Sequence, residues 1–277
     1  MNRTNLAGWR SFLIAVCGLL FFFPLYWITI SAARPEVDIF RYISTLSTWT
    51  FFPRHVTFQN IVELWTSSFR RAIFNSLLVS FLTVIGGLAV CAPAAFALAV
   101  IKFRGRKIVF GLMIVSFLIP FDAIALPLYY VMRDLGFQDT YIGLVLPGIG
   151  NGLAVFLLRQ FFMSIPRELS EAAKVDGLGW IQIFWRIYLP LSLPALVSAG
   201  LILFIFQWQA YLWPLLIAPS TDFKLAAVAI TQYSTTVGTN FGLTFAGALF
   251  ISLIPMILLI ISQRYYVSSV AATGGKE

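Results

Sequence analysis

The sequence predicts an all-α membrane protein with six transmembrane helices and both termini in the cytoplasm. Three observations carry this reading. Hydrophobic residues make up 60% of the chain and charged residues 11%, where a soluble domain has roughly a quarter charged, and the mean hydropathy is +0.88. Six stretches, at 11–31, 72–101, 108–131, 141–163, 191–217 and 244–263, are apolar over the length of about 20 residues that a helix needs to cross a hydrocarbon core. An even number of crossings puts both termini on one side, and twelve of the 19 Lys and Arg fall on that side. The positive-inside rule makes it cytoplasmic, together with the 102–107 turn and the 164–190 loop. The basic excess therefore records topology, and nucleic acid is not expected as a partner.

In chain order, residues 1–10 form a cytoplasmic N-terminus carrying Arg3 and Arg10. The span at 11–31 exceeds the 7–15 apolar residues of a secretory signal, so it reads as a retained helix. An external loop at 32–71 holds Pro35, Trp49, Pro53 and Trp65, with a short helix expected near 57–69 that either rests on the bilayer or touches an external partner. Residues 72–263 form a core of five helices. In its first helix Gly86, Gly87 and a series of alanines make a surface of small residues, which lets helices approach closely in lipid. Prolines at 93, 120, 127, 147, 214 and 255 each remove a backbone donor and predict interrupted or kinked spans. A cytoplasmic tail occupies 264–277.

Little in the chain supports catalysis. Cys17 and Cys91 fall in apolar runs and read as buried thiols. The single histidine, His55, leaves no set of ligands for haem or zinc and no Ser-His pair. A phosphate-cradling Gly-x-x-x-x-Gly-Lys-Ser/Thr loop is missing, so any ATP must be bound by another polypeptide. Polar groups inside the spans are candidates for a solute path, because lipid tolerates them only where they face protein or water. Asp122 is the one acid well inside a span. Asn75, Asn151, Gln207 and Gln209 are the amides, with Trp208 and Tyr211 near the external end of the fifth span. Each has an alternative role as static glue between helices or as part of an interfacial aromatic belt.

The long polar segment in the middle of the chain is the most informative one. Pro166 suits a first helical turn, Glu168 lies where an anion meets the positive end of the helix dipole, and Glu171 and Lys174 are spaced i, i+3. Gly177 and Gly179 then supply a sharp bend, with Asp176 expected either to cap the next helix or to bond across the turn. Trp180, Ile181, Phe184, Ile187 and Tyr188 recur at helical spacing up to Pro190. The segment reads as two short helices at an angle, with Ala172 and Ala173 keeping one face small for a partner.

Its residues Glu171-Ala172-Ala173, Asp176-Gly177, Phe184, Ile187, Leu189-Pro190 and Pro194 resemble the cytoplasmic loop of the permease subunits of bacterial ATP-binding-cassette importers. Leu178 departs from that pattern, which has a small residue there. Asn75-Ser76, Leu126-Pro127-Leu128-Tyr129, Leu135 to Thr140, Trp208, Tyr211 to Leu215 and Gln263 to Val267 extend the resemblance to the maltose-type, carbohydrate-uptake branch. The terminal Gly274-Gly275-Lys276-Glu277 resembles that branch's Gly-rich tail only loosely.

The resemblance implies a type I importer transmembrane domain in the bacterial inner membrane. It also implies a non-catalytic subunit partnered by a second homologous permease, two ATPase subunits holding ATP and Mg, and an extracytoplasmic solute-binding protein. The solute is then a sugar, oligosaccharide or sugar-like polyol derivative, and the segment carrying Glu168, Glu171, Ala172, Ala173, Lys174, Asp176, Gly177, Phe184 and Pro190 is the coupling helix that sits in a cleft of the ATPase. A permease for a polyamine, amino acid or phosphate, or a secondary transporter, are the alternatives.

Overall fold

The computed structural model describes the backbone of residues 3–41, 47–235 and 238–274, with side chains over 9–41, 47–233 and 238–263. The described chain opens with helix α1 (Arg3–Ala32), the single turns α2 (Glu36–Ile39) and α3 (Thr48–Phe51), and α4 (Gln59–Thr66). Helix α5 (Phe69–Ala99) is followed by α6 (Arg106–Leu118), α7 (Phe121–Asp134), α8 (Tyr141–Val145) and α9 (Gly152–Ser164). Next come α10 (Arg167–Val175), α11 (Trp180–Ile183), α12 (Leu189–Leu191), α13 (Leu193–Trp208) and α14 (Leu212–Ile217). After α15 (Ala226–Ala229), a two-stranded antiparallel ribbon, β1 (Ser234–Thr235) with β2 (Gly238–Thr239), leads into α16 (Phe241–Gly274).

Three helices, over Trp9–Ala32, Phe69–Ala99 and Phe241–Gln263, are each long and apolar enough to cross a membrane. The stretches expected as spans at 108–131, 141–163 and 191–217 contain breaks, as their prolines predict. Three bent pairs pass the same test: α6 with α7 at 96°, Tyr141–Gly148 with α9 at 46°, and Trp180–Leu191 with α13 at 84°. At the first break Ile119 is extended (φ −72°, ψ 121°), because the ring of Pro120 excludes the helical region for the residue before it. At the second, a tight turn over Leu146–Gly148 ends one helix and Asn151 starts the next, its Oδ1 accepting from the Ala154 N–H at 3.0 Å. The third lies at Ser192, between Pro190 and Pro194. Pro93, Pro127 and Pro255 interrupt nothing; each sits inside a continuous helix.

Contacts divide the chain into two units, Met1–Ile73 with Val228–Pro255 and Phe74–Ala227 with Met256–Glu277. In the first, Arg34 is 2% exposed and its Nη2 donates to the carbonyls of Trp49 and Thr50 at 3.0 and 2.8 Å. Asn60 Nδ2 reaches back to the carbonyls of Ala32 and Arg34, tying α4 to the end of α1. The helix expected near 57–69 is thus α4, with Asn60 and Leu64 turned inward and Trp65 stacked on Phe250 at 5.3 Å. Cys17, expected to be buried, lies on an α1 face that no protein covers, so its surroundings suit hydrocarbon instead. Cys91 is buried.

The second unit is built around α5. A third of its apolar window is buried, against 6% for α1, and the small-residue surface is used as expected: a Cβ on Gly87 would stand 2.8 Å from Leu203 of α13. Asp139 holds a left-handed backbone (φ 51°), steadied by its Oδ1 accepting from the Ser220 N–H at 3.0 Å. Gly143 is wedged beside it. Its N–H donates to Thr140 Oγ1, its carbonyl accepts from Trp213 Nε1 at 3.0 Å, and a Cβ there would run into the Phe137 carbonyl. Residues Gly275–Glu277 of the tail, and the side chains of Arg264 to Val267, lie outside the described residues.

Gly143→Ala is therefore expected to cost roughly 1–3 kcal/mol and to lower the thermal midpoint of the detergent-purified chain. Gly111→Ala, at a helical position open within 4 Å, should leave the midpoint unchanged or raise it, with a gain in stability of up to about 1 kcal/mol.

Candidate functional site

The central loop folds as two short helices joined by a closed turn. Helix α10 ends in a pair of bonds that answer its last carbonyls: Gly177 N–H to Lys174 O and Leu178 N–H to Ala173 O, both 3.0 Å. Gly177 takes φ +82°, which an L side chain resists. Leu178 packs against the apolar cluster beneath the turn, so the residue that departs from the family pattern supplies the hydrophobic contact such a turn uses. Asp176 does not cap the next helix and makes no side-chain hydrogen bond among the described residues. Gln182 takes that role, its Oε1 accepting from the Gly179 N–H at 2.9 Å.

Two expectations for the docking face change. Ala173 is buried with Ser170 on the inner side of α10, because these two positions lie one turn apart; only Ala172 of the alanine pair faces out. Lys174 does not pair with Glu171: its Nζ stands 3.7 Å from the centre of the Trp180 ring, a cation–π contact that ties α10 to α11. Glu168, Glu171 and Asp176 are left exposed, with no ion pair among the described residues.

The inner side of the loop is anchored on one ring. Phe96 of α5 meets Tyr188 at 5.0 Å, Phe184 at 5.3 Å, Phe162 at 6.3 Å and Trp180 at 6.4 Å between centroids. Each such aromatic pair adds about 0.5–1.5 kcal/mol beyond area burial. Phe184 is buried here, so it holds the loop rather than facing a partner. Nothing in the sequence marked Phe96, one apolar residue in an apolar span. The chain from Phe184 to Tyr188 forms a π-type turn, with the Leu189 N–H bonded to Phe184 O. Pro190, exposed at its end, has no N–H for Arg186 and crowds that carbonyl.

The candidate path residues separate. Asp122, Asn151, Gln207 and Tyr211 line one cleft of about 760 Å³ with Trp213, together with Thr83, Ser116, Phe121 and Phe206, which nothing in the sequence marks for a path. The first two breaks, at Ile119-Pro120 and Gly148–Asn151, both contribute to its lining. Asn75 is elsewhere: its Nδ2 donates to the carbonyls of Asp222 and Lys224, and its Oδ1 accepts from Tyr141. Trp208 is buried and stacks on Phe204 at 5.5 Å. Gln209 is exposed and does not line the cleft.

Residues 89–271 match the family described as binding-protein-dependent transport system inner membrane component. The chain is 31% identical to the sn-glycerol-3-phosphate transport system permease protein of Yersinia enterocolitica, covering 96% of each. It is also 31% identical to an arabinooligosaccharides transport system permease protein of Halalkalibacterium halodurans, covering 92% of this chain and 91% of that one. Its fold matches a subunit in the crystal structure of a bacterial ABC transporter involved in the import of alginate, with a TM-score of 0.81 at 21% identity over 96% of this chain and 99% of that one. The chain thus belongs to the family of inner-membrane components of binding-protein-dependent transport systems.

Proposed function

We propose that the chain is one permease half of an ATP-driven importer of the maltose type, carrying a sugar, oligosaccharide or sugar-like polyol derivative. Its relatives are named for sn-glycerol-3-phosphate and for arabinooligosaccharides, which share hydroxyl-rich carbon chains. The importer pairs this chain with a second homologous permease, two ATPase subunits that hold ATP and Mg, and an extracytoplasmic solute-binding protein. The pairs α6 with α7 and Tyr141–Gly148 with α9 each count as one span, and α13 counts as a third without the loop helices that precede it. Added to the three long helices, these give six, with the termini, the 102–107 turn and the 164–190 loop in the cytoplasm and 32–71 outside.

The observation that carries this reading is the two-sided loop. Its outer side offers Glu168, Glu171 and Ala172 unpaired to a partner, while its inner side is fixed to α5 through Phe96. A charge-assisted bond from a basic group on the ATPase to Glu171 would give the contact its strength.

Copurification from the native membrane should recover an ATPase, a second permease and a solute-binding protein, and the assembly should hydrolyse ATP faster when solute is added. Recovery of this chain alone, moving solute without ATP, would leave a secondary transporter in its place. Glu171→Ala, and Gly177→Asp, which strains the turn without a steric clash, should each lower solute-stimulated ATP hydrolysis about tenfold or more while the binding protein still captures solute. Normal transport in both variants would overturn the docking role. For topology, Phe58→Cys should react with an impermeant maleimide in spheroplasts and Arg104→Cys only after permeabilisation; the reverse pattern would invert the assignment.

A further inference from the structure

We infer that the cleft at Asp122 is a charge filter, which passes neutral or amine-bearing sugars and turns away phosphorylated or carboxylated ones. This rests on the importer reading above and narrows its solute class. Among the described residues Asp122 is the only charged side chain lining the cleft, and no Lys, Arg or His lines it. Asp122 has no ion pair among the described residues, and the dipole of its own helix offsets only part of its charge.

The polar groups around it suit hydroxyls. Gln207 is 7% exposed, its Oε1 accepts from Thr83 Oγ1 at 3.4 Å, and its Nε2 is buried with no partner. A buried donor left unpaired is costly, and a solute oxygen reaching it would remove that cost. The Asp122 carboxylate only accepts, the Gln207 amide nitrogen only donates, and the Tyr211 hydroxyl does both. A sugar hydroxyl serves each of these, whereas a phosphate or carboxylate oxygen serves only the donors and meets Asp122 with like charge. Phe121, Phe206 and Trp213 add apolar faces for a ring.

Two helix N-termini open on the cleft and would ordinarily favour an anion. Both are already answered by the chain. Asp122 itself occupies the first turn of α7, and Asn151 Oδ1 takes the Ala154 N–H of α9. At about 6 Å and an effective dielectric of about 20, one like charge lowers the occupancy of an anion roughly a hundredfold.

The test reads the cleft without relying on what the binding protein captures. In the assembled importer, with Cys17→Ser and Cys91→Ala as background, Ser116→Cys places a thiol in the cleft. Its modification rates by a cationic and an anionic methanethiosulfonate are measured and normalised to those of a free thiol. The cationic reagent should react at least tenfold faster, and adding Asp122→Asn should bring the two rates together. Equal rates before that change, or a preference that survives it, would overturn the filter and leave the importer standing. ATP-driven uptake of a neutral sugar is followed in the same preparations. Its absence for every solute tried, with the reagent preference intact, would instead overturn the importer reading and with it the assignment of the filter to a sugar.

Discussion

In hydrocarbon every backbone N–H and C=O must find a partner within the protein, and this constraint decides where the chain leaves the helix. The breaks at Ile119-Pro120 and at Gly148 to Asn151 are not scattered. Both edge the same cleft, where polar surroundings are available to groups that a lipid-facing helix would have to satisfy internally. The third break, at Ser192, falls where the central loop turns into α13, and the Ser192 N–H bonds back to Tyr188 and Leu189.

Helix α5 joins the central loop to the cleft. Phe96 gathers the rings of the loop, and Thr83 lies in the cleft wall against Gln207. Thirteen residues of helix separate them, about 20 Å. Pro93 lies between, where it leaves the Ala89 carbonyl without its usual donor while the helix continues. The two sites are thus tied by one covalent element rather than by packed surfaces alone.

The apolar stretches and the two-helix form of the central loop were legible in the sequence because both depend on local features: hydropathy over a span's length, a proline to start α10 and a glycine to end it. Long-range geometry was not. A proline inside an apolar run can be absorbed, as Pro93 and Pro255 are, or can turn the chain by 96°, as at Pro120; the outcome depends on what surrounds the freed groups. The same holds for the polar residues. Asn75 and Asn151 are both amides in apolar stretches, yet one braces the carbonyls of Asp222 and Lys224 while the other caps a helix at the cleft. The i, i+3 spacing of Glu171 and Lys174 does not reveal the contact that Lys174 makes, since the face of Trp180 comes within reach only once the turn at Gly177 has formed.

The π-type turn at Phe184–Tyr188 sets a limit on how this segment tolerates changes of length. The wide turn already holds one residue more than an α-helical turn, so removing one here would return it to ordinary helical pitch with the residues on either side still in register. Each residue of an α-helix advances its neighbours by about 100°, so adding one before the turn would swing Trp180 and everything before it around the axis and away from Phe96. The slack in this segment runs one way: the turn can give up a residue, but the helix leading into it has no room for another.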